Sequence, residues 1–203
     1  MTKLLIATNN RGKLIEFQEL LKETNITLIT PAQIGLDLDV VEDGHTYAEN
    51  ATKKALAFAQ ASGLISLADD SGLEVDTLDG APGLYSARYG STNGGKLSDA
   101  ERRNYLLSKL QDKPRPWTAH FHATIAIATP NNQLQITEGF CPGEIIPEER
   151  GTCGFGYDPI FLLTKLGKTM AELSMNEKNR LSHRARAVMK AKAVLAQLFD
   201  QLI

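Results

Sequence analysis

The sequence predicts an α/β protein built on a mixed sheet, on three observations. A strand, a polar turn and a helix follow one another at the N-terminus. A later apolar run ends in two adjacent carboxylates, and a long alternating stretch meets its successor with no helix between them. Strands that alternate with helices pair in parallel, whereas a hairpin adds antiparallel pairs, so the sheet is mixed. The 203 residues allow one large domain or two small lobes.

Lys3 to Ala7 is a short apolar run with strand character. It breaks into Thr8-Asn9-Asn10-Arg11-Gly12-Lys13, after which Leu14, Phe17, Leu20 and Leu21 recur at helical spacing to about Lys22. A strand, turn and helix in that order aim backbone N–H groups and a helix N-terminus at an anion. The stretch is not a P-loop: Ala7 stands where that motif needs glycine, and Leu14 where it needs a magnesium-binding hydroxyl. Two readings stay open, a phosphate-binding loop with Arg11 and Lys13 as its cations, or an ordinary turn with surface charge. Ile26 to Ile29 is a second strand, rich in β-branched residues. The stretch from Asp37 to Gly44 is acidic through Asp37, Asp39, Glu42 and Asp43. Thr46 and Glu49 form a capping box for a helix running to about Ser62, with Ala51, Ala55, Phe58 and Ala59 on its packed face. Asn50 and Lys54 lie one turn apart and share a face that can turn toward the acids.

Leu64 to Ala68, closed by Asp69-Asp70-Ser71-Gly72, predicts a short buried strand whose C-terminal end carries the acids into a cleft. Neighbouring carboxylates repel, so both stay ionised only beside a cation or base. A turn with a solvated Asp pair is the alternative. Leu73 to Val75 reads as a separate strand, Gly80 to Gly83 as a stiff turn, and Gly90 to Gly95 as a loop with the character of a lid. A helix from Ser98 to Leu110 directs Leu106, Leu107 and Leu110 to a core, and Pro114 and Pro116 end that lobe. Thr118 to Thr129 alternates as a half-exposed strand, with Phe121, Ala123, Ile125 and Ile127 on one face and His120, His122 and Thr124 on the other. It turns at Asn131-Asn132 into Leu134 to Phe140, a long hairpin. His120 and His122 have no third ligand nearby in sequence and read as solvent-facing side chains.

Gly151 to Pro159 alternates glycines with large aromatics, and a strand from Ile160 to Leu163 follows. Such backbone approaches a ligand closely, and Phe155 or Tyr157 offers a flat face to a base; a tight turn with core aromatics fits equally. From Lys178 to Lys192 seven basic groups accompany an apolar stripe of Ala185, Val188, Met189 and Leu195, which predicts one long C-terminal helix. Lys178, His183 and Arg184 fall toward its N-terminal end, where the helix dipole disfavours cations, so they are expected to face an anion or polar ligand.

A formal net charge of −2 argues against a general polyanion binder, so no nucleic-acid partner is expected. No apolar run reaches the ~18 residues of a membrane span, and Met1 to Ala7 is too short for a signal-peptide core. Cys141 and Cys153 match no metal spacing and read as reduced thiols, so the expected location is cytoplasmic. Clustered carboxylates hold magnesium, magnesium accompanies phosphates, and an aromatic platform accompanies a base. Together they point to a magnesium-dependent nucleotide enzyme. A haloacid-dehalogenase-type phosphatase is excluded, because Asp69-Asp70-Ser71-Gly72 lacks that chemistry's alternating aspartates.

The chain resembles the noncanonical purine nucleoside triphosphate pyrophosphatases, the inosine triphosphate (dITP/XTP) pyrophosphatase family. The resemblance spans essentially the whole chain through Thr8 to Lys13, Glu49-Asn50-Ala51, Ala68 to Gly72, Gly80 to Arg88, Gly154 to Pro159 and Ser182-His183-Arg184. It implies an ITPase-like fold over residues 1–203, with two lobes (the smaller roughly 80–150) around a long twisted mixed β-sheet, a nucleotide cleft between lobes, and a homodimer. It implies that Thr8, Asn9, Asn10, Arg11, Gly12 and Lys13 bind the triphosphate and that Ser71 contacts substrate. Asp70 matches the proton acceptor and, with Glu42, the Mg2+ ligands; Asp43 stays open beside Glu42. Phe155, Gly156, Tyr157 and Asp158 match the base-binding segment, completed by Lys178, His183 and Arg184. Lys54 and Asp69 are expected to support the chemistry.

Overall fold

The computed structural model describes residues 2–92 and 97–200. The expected lid at Gly90 to Gly95 falls partly outside them. The strands form a seven-stranded mixed sheet in the order β2-β1-β3-β4-β5-β6-β7. They are β1 (Thr2–Ile6), β2 (Ile26–Ile29), β3 (Ile65–Val75), β4 (Trp117–Ala128), β5 (Leu134–Ile145), β6 (Phe161–Leu163) and β7 (Lys168–Thr169). β1 is parallel to β2 and β3, whereas β6 is antiparallel to β5 and β7. Among the described residues five α-helices accompany them: α1 (Arg11–Leu21), α2 (Tyr47–Ser62), α3 (Asp99–Leu110), α4 (Met175–Leu181) and α5 (His183–Asp200).

The chain divides into two compact units. The first holds residues 1–70, 123–139 and 183–203, the second residues 71–122 and 140–182. In the first unit the pleat sends alternate residues to two separate cores. Leu4, Ile6, Ile65, Leu67, Ile125 and Ile127 pack with Phe17 and Leu21 of α1 and Val188 and Leu195 of α5. Leu5, Ala7, Ala68, Ala126 and Ala128 pack with Ala51, Ala55, Phe58 and Ala59 of α2. In the second unit Leu73, Val75, Trp117, Phe121, Ile145 and Phe161 pack with Leu106 and Leu110 of α3.

Four expectations are corrected. β3 does not stop at the acids: it runs unbroken from Ile65 through Asp69-Asp70-Ser71-Gly72 to Val75. Asp69 and Asp70 therefore stand in mid-strand, where partners on both faces compensate their poor strand propensity. β4 is half-exposed only in its first half, since both faces are covered from Ala123 onward and Thr124 is buried. The C-terminal basic stretch is two helices, because Ser182 leaves helical geometry at φ −66°, ψ 157°. Finally, α1 begins at Arg11, so Arg11, Gly12 and Lys13 form its first turn rather than a preceding loop.

Candidate active site

Side chains alternate across a strand, so the two neighbouring acids of β3 part company. Asp69 follows Leu67 toward α1 and α5; Asp70 follows Ala68 toward α2.

Asp69 is buried in a cage of charge. Lys13 of α1 brings its Nζ to 2.5 Å from Oδ1. Arg184, in the first turn of α5, donates from Nε to Oδ2 at 3.2 Å and from Nη2 to Oδ1 at 3.3 Å. Its Nη1 pairs with Glu16 of α1. Burial alone would push the Asp69 carboxyl up, but the charges of Arg184 and Lys13 overcome it and hold it well below the usual carboxylate range. The Arg184 guanidinium is likewise penalised by burial and held charged by Asp69 and Glu16. Burial lowers the Lys13 ammonium below its ordinary value, against the attraction of Asp69.

Asp70 has a different environment. Asn50 of α2 donates from Nδ2 to its Oδ2 at 3.0 Å, while the Gly44 N–H fixes the other end of that amide at 2.8 Å. Burial raises the Asp70 carboxyl above the usual range; Lys54, Lys13 and the Asn50 hydrogen bond oppose the rise, and Glu42 adds to it. Lys54 joins the two environments, donating to the Asp69 carbonyl at 2.8 Å and to Glu42 Oε1 at 2.8 Å. Asp43 turns outward to Lys53 at 2.5 Å, with its side chain 68% exposed. Of the two acids left open by the sequence, the structure therefore brings Glu42 to Asp70.

The N-terminal loop is tightly tied. Asn10 caps α1 by accepting from the Lys13 N–H at 3.1 Å, and Thr8 Oγ1 accepts from the Asn10 N–H at 3.1 Å. Asn9, Asn10 and Arg11 are exposed, while Thr8, Gly12 and Lys13 are half-buried.

The glycine-aromatic segment belongs to the second unit. Asp158 Oδ2 accepts from the Phe155 N–H at 3.0 Å and from Lys178 Nζ at 2.7 Å. A Cβ on Gly154, at φ +81°, would fall 2.0 Å from that same oxygen, so only glycine fits. Lys178 Nζ also lies 5.2 Å from the Phe155 ring centroid, within cation–π range. From α3, Asp99 accepts the Gly156 N–H at 2.6 Å and Arg103 donates to the Gly156 carbonyl at 2.9 Å. Tyr157 packs in the core and donates its hydroxyl to the Ser86 carbonyl at 3.0 Å, whereas Phe155 is half-buried. Ser71, half-buried, follows Asp70 on β3. His120 and His122 lie on Glu74 at 3.2 and 3.4 Å.

The sequence reading placed Lys178, His183 and Arg184 together on one helix toward a ligand. The structure divides them. Lys178, on α4, is buried against Asp158; His183 and Arg184 open α5, and Arg184 turns inward to Asp69 and Glu16. Glu16, Asp99 and Arg103 were missed. Glu16 lies one helical turn after Lys13, and Asp99 one turn before Arg103, so same-face spacing was the available signal.

As a metal site, Glu42 and Asp70 offer hard oxygen donors. Among the described residues no group of three or more His, Cys, Asp and Glu side chains could hold a metal ion. Two carboxylates suit magnesium, which keeps several waters and takes its remaining ligands from phosphates.

The Ham1 family model matches residues 4–194. The chain belongs to the Ham1 family. Among curated relatives of this Ham1 chain, the dITP/XTP pyrophosphatase of Desulforamulus reducens is 46% identical over 198 residues, 97% of each chain. That of Bacillus subtilis is 42% identical over 195 residues, covering 96% of this chain and 98% of the relative. The solved Ham1 protein of Staphylococcus aureus superposes with a TM-score of 0.84 at 39% identity, covering 97% of this chain and 99% of that one. A HAM1 protein from Coxiella burnetii gives 0.86 at 40% identity, covering 97% and 100%. The α/β mixed-sheet fold and the family expected from the sequence are both borne out. No helix among the described residues is long and apolar enough to cross a membrane.

Proposed function

We propose that this Ham1 protein is a magnesium-dependent nucleoside triphosphate pyrophosphatase acting on noncanonical purine nucleotides (dITP, ITP and XTP). It cleaves between the α- and β-phosphates, releasing the nucleoside monophosphate and pyrophosphate and so cleansing the nucleotide pool. The observation that carries the reading is Asp70, a buried carboxyl raised above the usual range beside Glu42, Asn50 and Lys54. The relatives named dITP/XTP pyrophosphatase support the substrate class. A cytoplasmic location, expected from the cysteine usage and the short N-terminal apolar run, and a homodimer, implied by the family resemblance, belong to the same reading.

Glu42 and Asp70 would hold Mg2+, which supplies charge neutralisation on the phosphates and acidifies bound water. Asp70 accepts the proton of the attacking water, a task suited to a carboxyl whose pKa has moved toward neutrality. Thr8, Asn9, Asn10, Arg11, Gly12 and Lys13 bind the triphosphate, with the exposed Asn10 and Arg11 contributing backbone more than side chain. Lys13 and Lys54 offset phosphate charge, and Ser71 contacts substrate. Phe155 stacks on the base, with Gly156, Tyr157, Asp158 and Lys178 shaping its support. His183 donates to a 6-oxo purine, a donor that would face the 6-amino group of adenine unpaired, at a penalty of about 1–3 kcal/mol.

The test is pyrophosphate release from dITP, ITP, XTP, GTP, ATP and dTTP with magnesium, with and without EDTA. EDTA-sensitive turnover of the inosine and xanthine nucleotides is expected. Preference for dTTP would move the protein to pyrimidine-directed chemistry, and binding without turnover would make it a nucleotide sensor.

A further inference from the structure

Phe155 stands between two sets of anchors. On one side Asp158 takes the Phe155 N–H, and Lys178 Nζ lies over the ring. On the other, Gly156 has no side chain to pack, and α3 takes both of its peptide groups. Asp99 accepts the Gly156 N–H through Oδ2 at 2.6 Å, while Arg103 donates from Nη1 to the Gly156 carbonyl at 2.9 Å. Asp99 and Arg103 lie one helical turn apart, so one face of α3 presents an acceptor and a donor to a single residue. Each arm is braced. The other Asp99 oxygen pairs with Arg102, whose Nη1 donates to the Leu97 carbonyl at 2.6 Å. Arg103 forks onto Glu149, from Nε to Oε1 at 2.8 Å and from Nη2 to Oε2 at 2.9 Å. Further along α3, Leu106 and Leu110 are fully buried in the core of the second unit, so the clamp is tied to a packed helix.

We infer that Asp99 and Arg103 are positioning residues for the base, acting through Gly156 to fix the ring of Phe155, with Glu149 orienting Arg103. The inference rests on the reading that Phe155 stacks on the base. Glycine stands on both sides of Phe155 and has more backbone freedom to lose than any other residue. Stacking needs the ring held in one plane, and the clamp removes that freedom before the nucleotide arrives. A guanidinium suits the task because its planar fork holds Glu149 with two donors and aims a third at the Gly156 carbonyl. An ammonium is a point charge without that fixed geometry. The triphosphate is assigned to Thr8 to Lys13 of the first unit, so loss of the clamp should weaken the hold on the base and spare the phosphates.

The experiment compares dIMP, which carries the base, with inorganic tripolyphosphate, which carries none. Both affinities are measured by calorimetry, with magnesium, for the full-length wild type, Phe155→Ala, Arg103→Ala, Arg103→Lys, Asp99→Asn and the double variant of Arg103→Ala with Phe155→Ala. The KM and kcat for dITP are measured alongside. Loss of base stacking on an aromatic costs about 5- to 150-fold. Arg103→Ala should weaken dIMP binding by about tenfold, within that range, and raise KM for dITP in parallel. Tripolyphosphate affinity and kcat should stay nearly unchanged, since only uniform binding of the base is lost. Arg103→Lys and Asp99→Asn should fall between Arg103→Ala and the wild type, and they carry the test if the alanine variant does not fold. In the Phe155→Ala background Arg103→Ala should add nothing, because the ring it positions is gone. Additive losses in the double variant, an equal loss of tripolyphosphate affinity, or unchanged dIMP affinity in Arg103→Ala, Arg103→Lys and Asp99→Asn overturn the inference. A Phe155→Ala protein that binds dIMP as tightly as the wild type refutes the base-stacking reading itself, and the inference with it.

Discussion

On one face of β3, Asp69 is surrounded by Lys13 and Arg184 and ionised at any ordinary pH. On the other, Asp70 has an amide donor from Asn50, an acid neighbour in Glu42, and a carboxyl raised by burial. The two are chemically identical and adjacent. What separates them is the two-residue period of a strand, which gives each acid a different set of helices. The comparison teaches that a carboxylate pair in sequence need not be a pair in space. One acid is an anion held among cations, and its neighbour's carboxyl is pushed up by burial.

The largest effect should come from Asp70→Asn. Loss of a general base costs about 10²–10⁴-fold in turnover, and steady-state kinetics on dITP should show at least that. In EDTA the same variant should melt higher than the wild type at neutral pH. A group whose pKa is raised on folding contributes stability that is fully present below its unfolded pKa and is lost as pH rises through the folded value. At neutral pH the Asp70 charge therefore works against folding, and a neutral amide removes the burden. Asp69→Asn should do the reverse. Its depressed pKa contributes stability above the unfolded value that is lost only as pH falls through the folded one. Breaking such a buried pair should cost about 3–5 kcal/mol, read by denaturant unfolding. If both variants shift stability in the same direction, the division of labour between the two faces is wrong.

How much of this division was legible in the sequence differs by residue. The N-terminal strand and helix, the helix through Asn50, and the aim of Asn50 toward the acids followed from local periodicity, and the structure agrees. Thr46 caps its helix as expected, although the Glu49 carboxylate reaches the His45 N–H instead of completing the box on Thr46. The continuity of β3 was not legible. Asp-Asp-Ser-Gly carries turn propensity, and what overrides it is a partner set far away in the chain. Arg184 lies 115 residues from Asp69 and 168 from Glu16. Local patterning cannot register a contact at that separation. The break at Ser182 was missed for a milder reason. Ser174 and Glu177 spell a capping box for a short separate helix, but the basic residues suggested a single continuous surface.

A smaller effect tests the proposed magnesium site at Glu42 and Asp70. Glu42→Gln should raise the magnesium needed for half-maximal activity by at least the roughly 10–100-fold that loss of even an outer-shell partner costs. Asp43→Asn should leave it unchanged, because that carboxylate faces Lys53 at the surface. A magnesium titration of the two variants side by side separates them. Equal effects would mean that the acidic stretch acts as a diffuse field, and the structural distinction between Glu42 and Asp43 would lose its functional meaning.

The smallest and most specific effect concerns the amide that distinguishes the Asp70 face. Asn50 donates to ionised Asp70, so it favours the charged form and restrains the rise in pKa. In Asn50→Ala that restraint is gone, and the acid limb of kcat/KM should move to higher pH by about one to two units, taking a hydrogen bond to a charged group as about 1.5–3 kcal/mol. The orientation of the amide depends on Gly44, whose N–H holds Asn50 Oδ1 and where a Cβ would fall 2.7 Å from that oxygen and 2.8 Å from Glu49 Cβ. Gly44→Ala should therefore move the limb in the same direction while leaving Asn50 in place. A limb that shifts in Asn50→Ala but not in Gly44→Ala would mean that the amide finds Asp70 without its backbone anchor. A limb that moves in neither would assign the titration to a group other than Asp70.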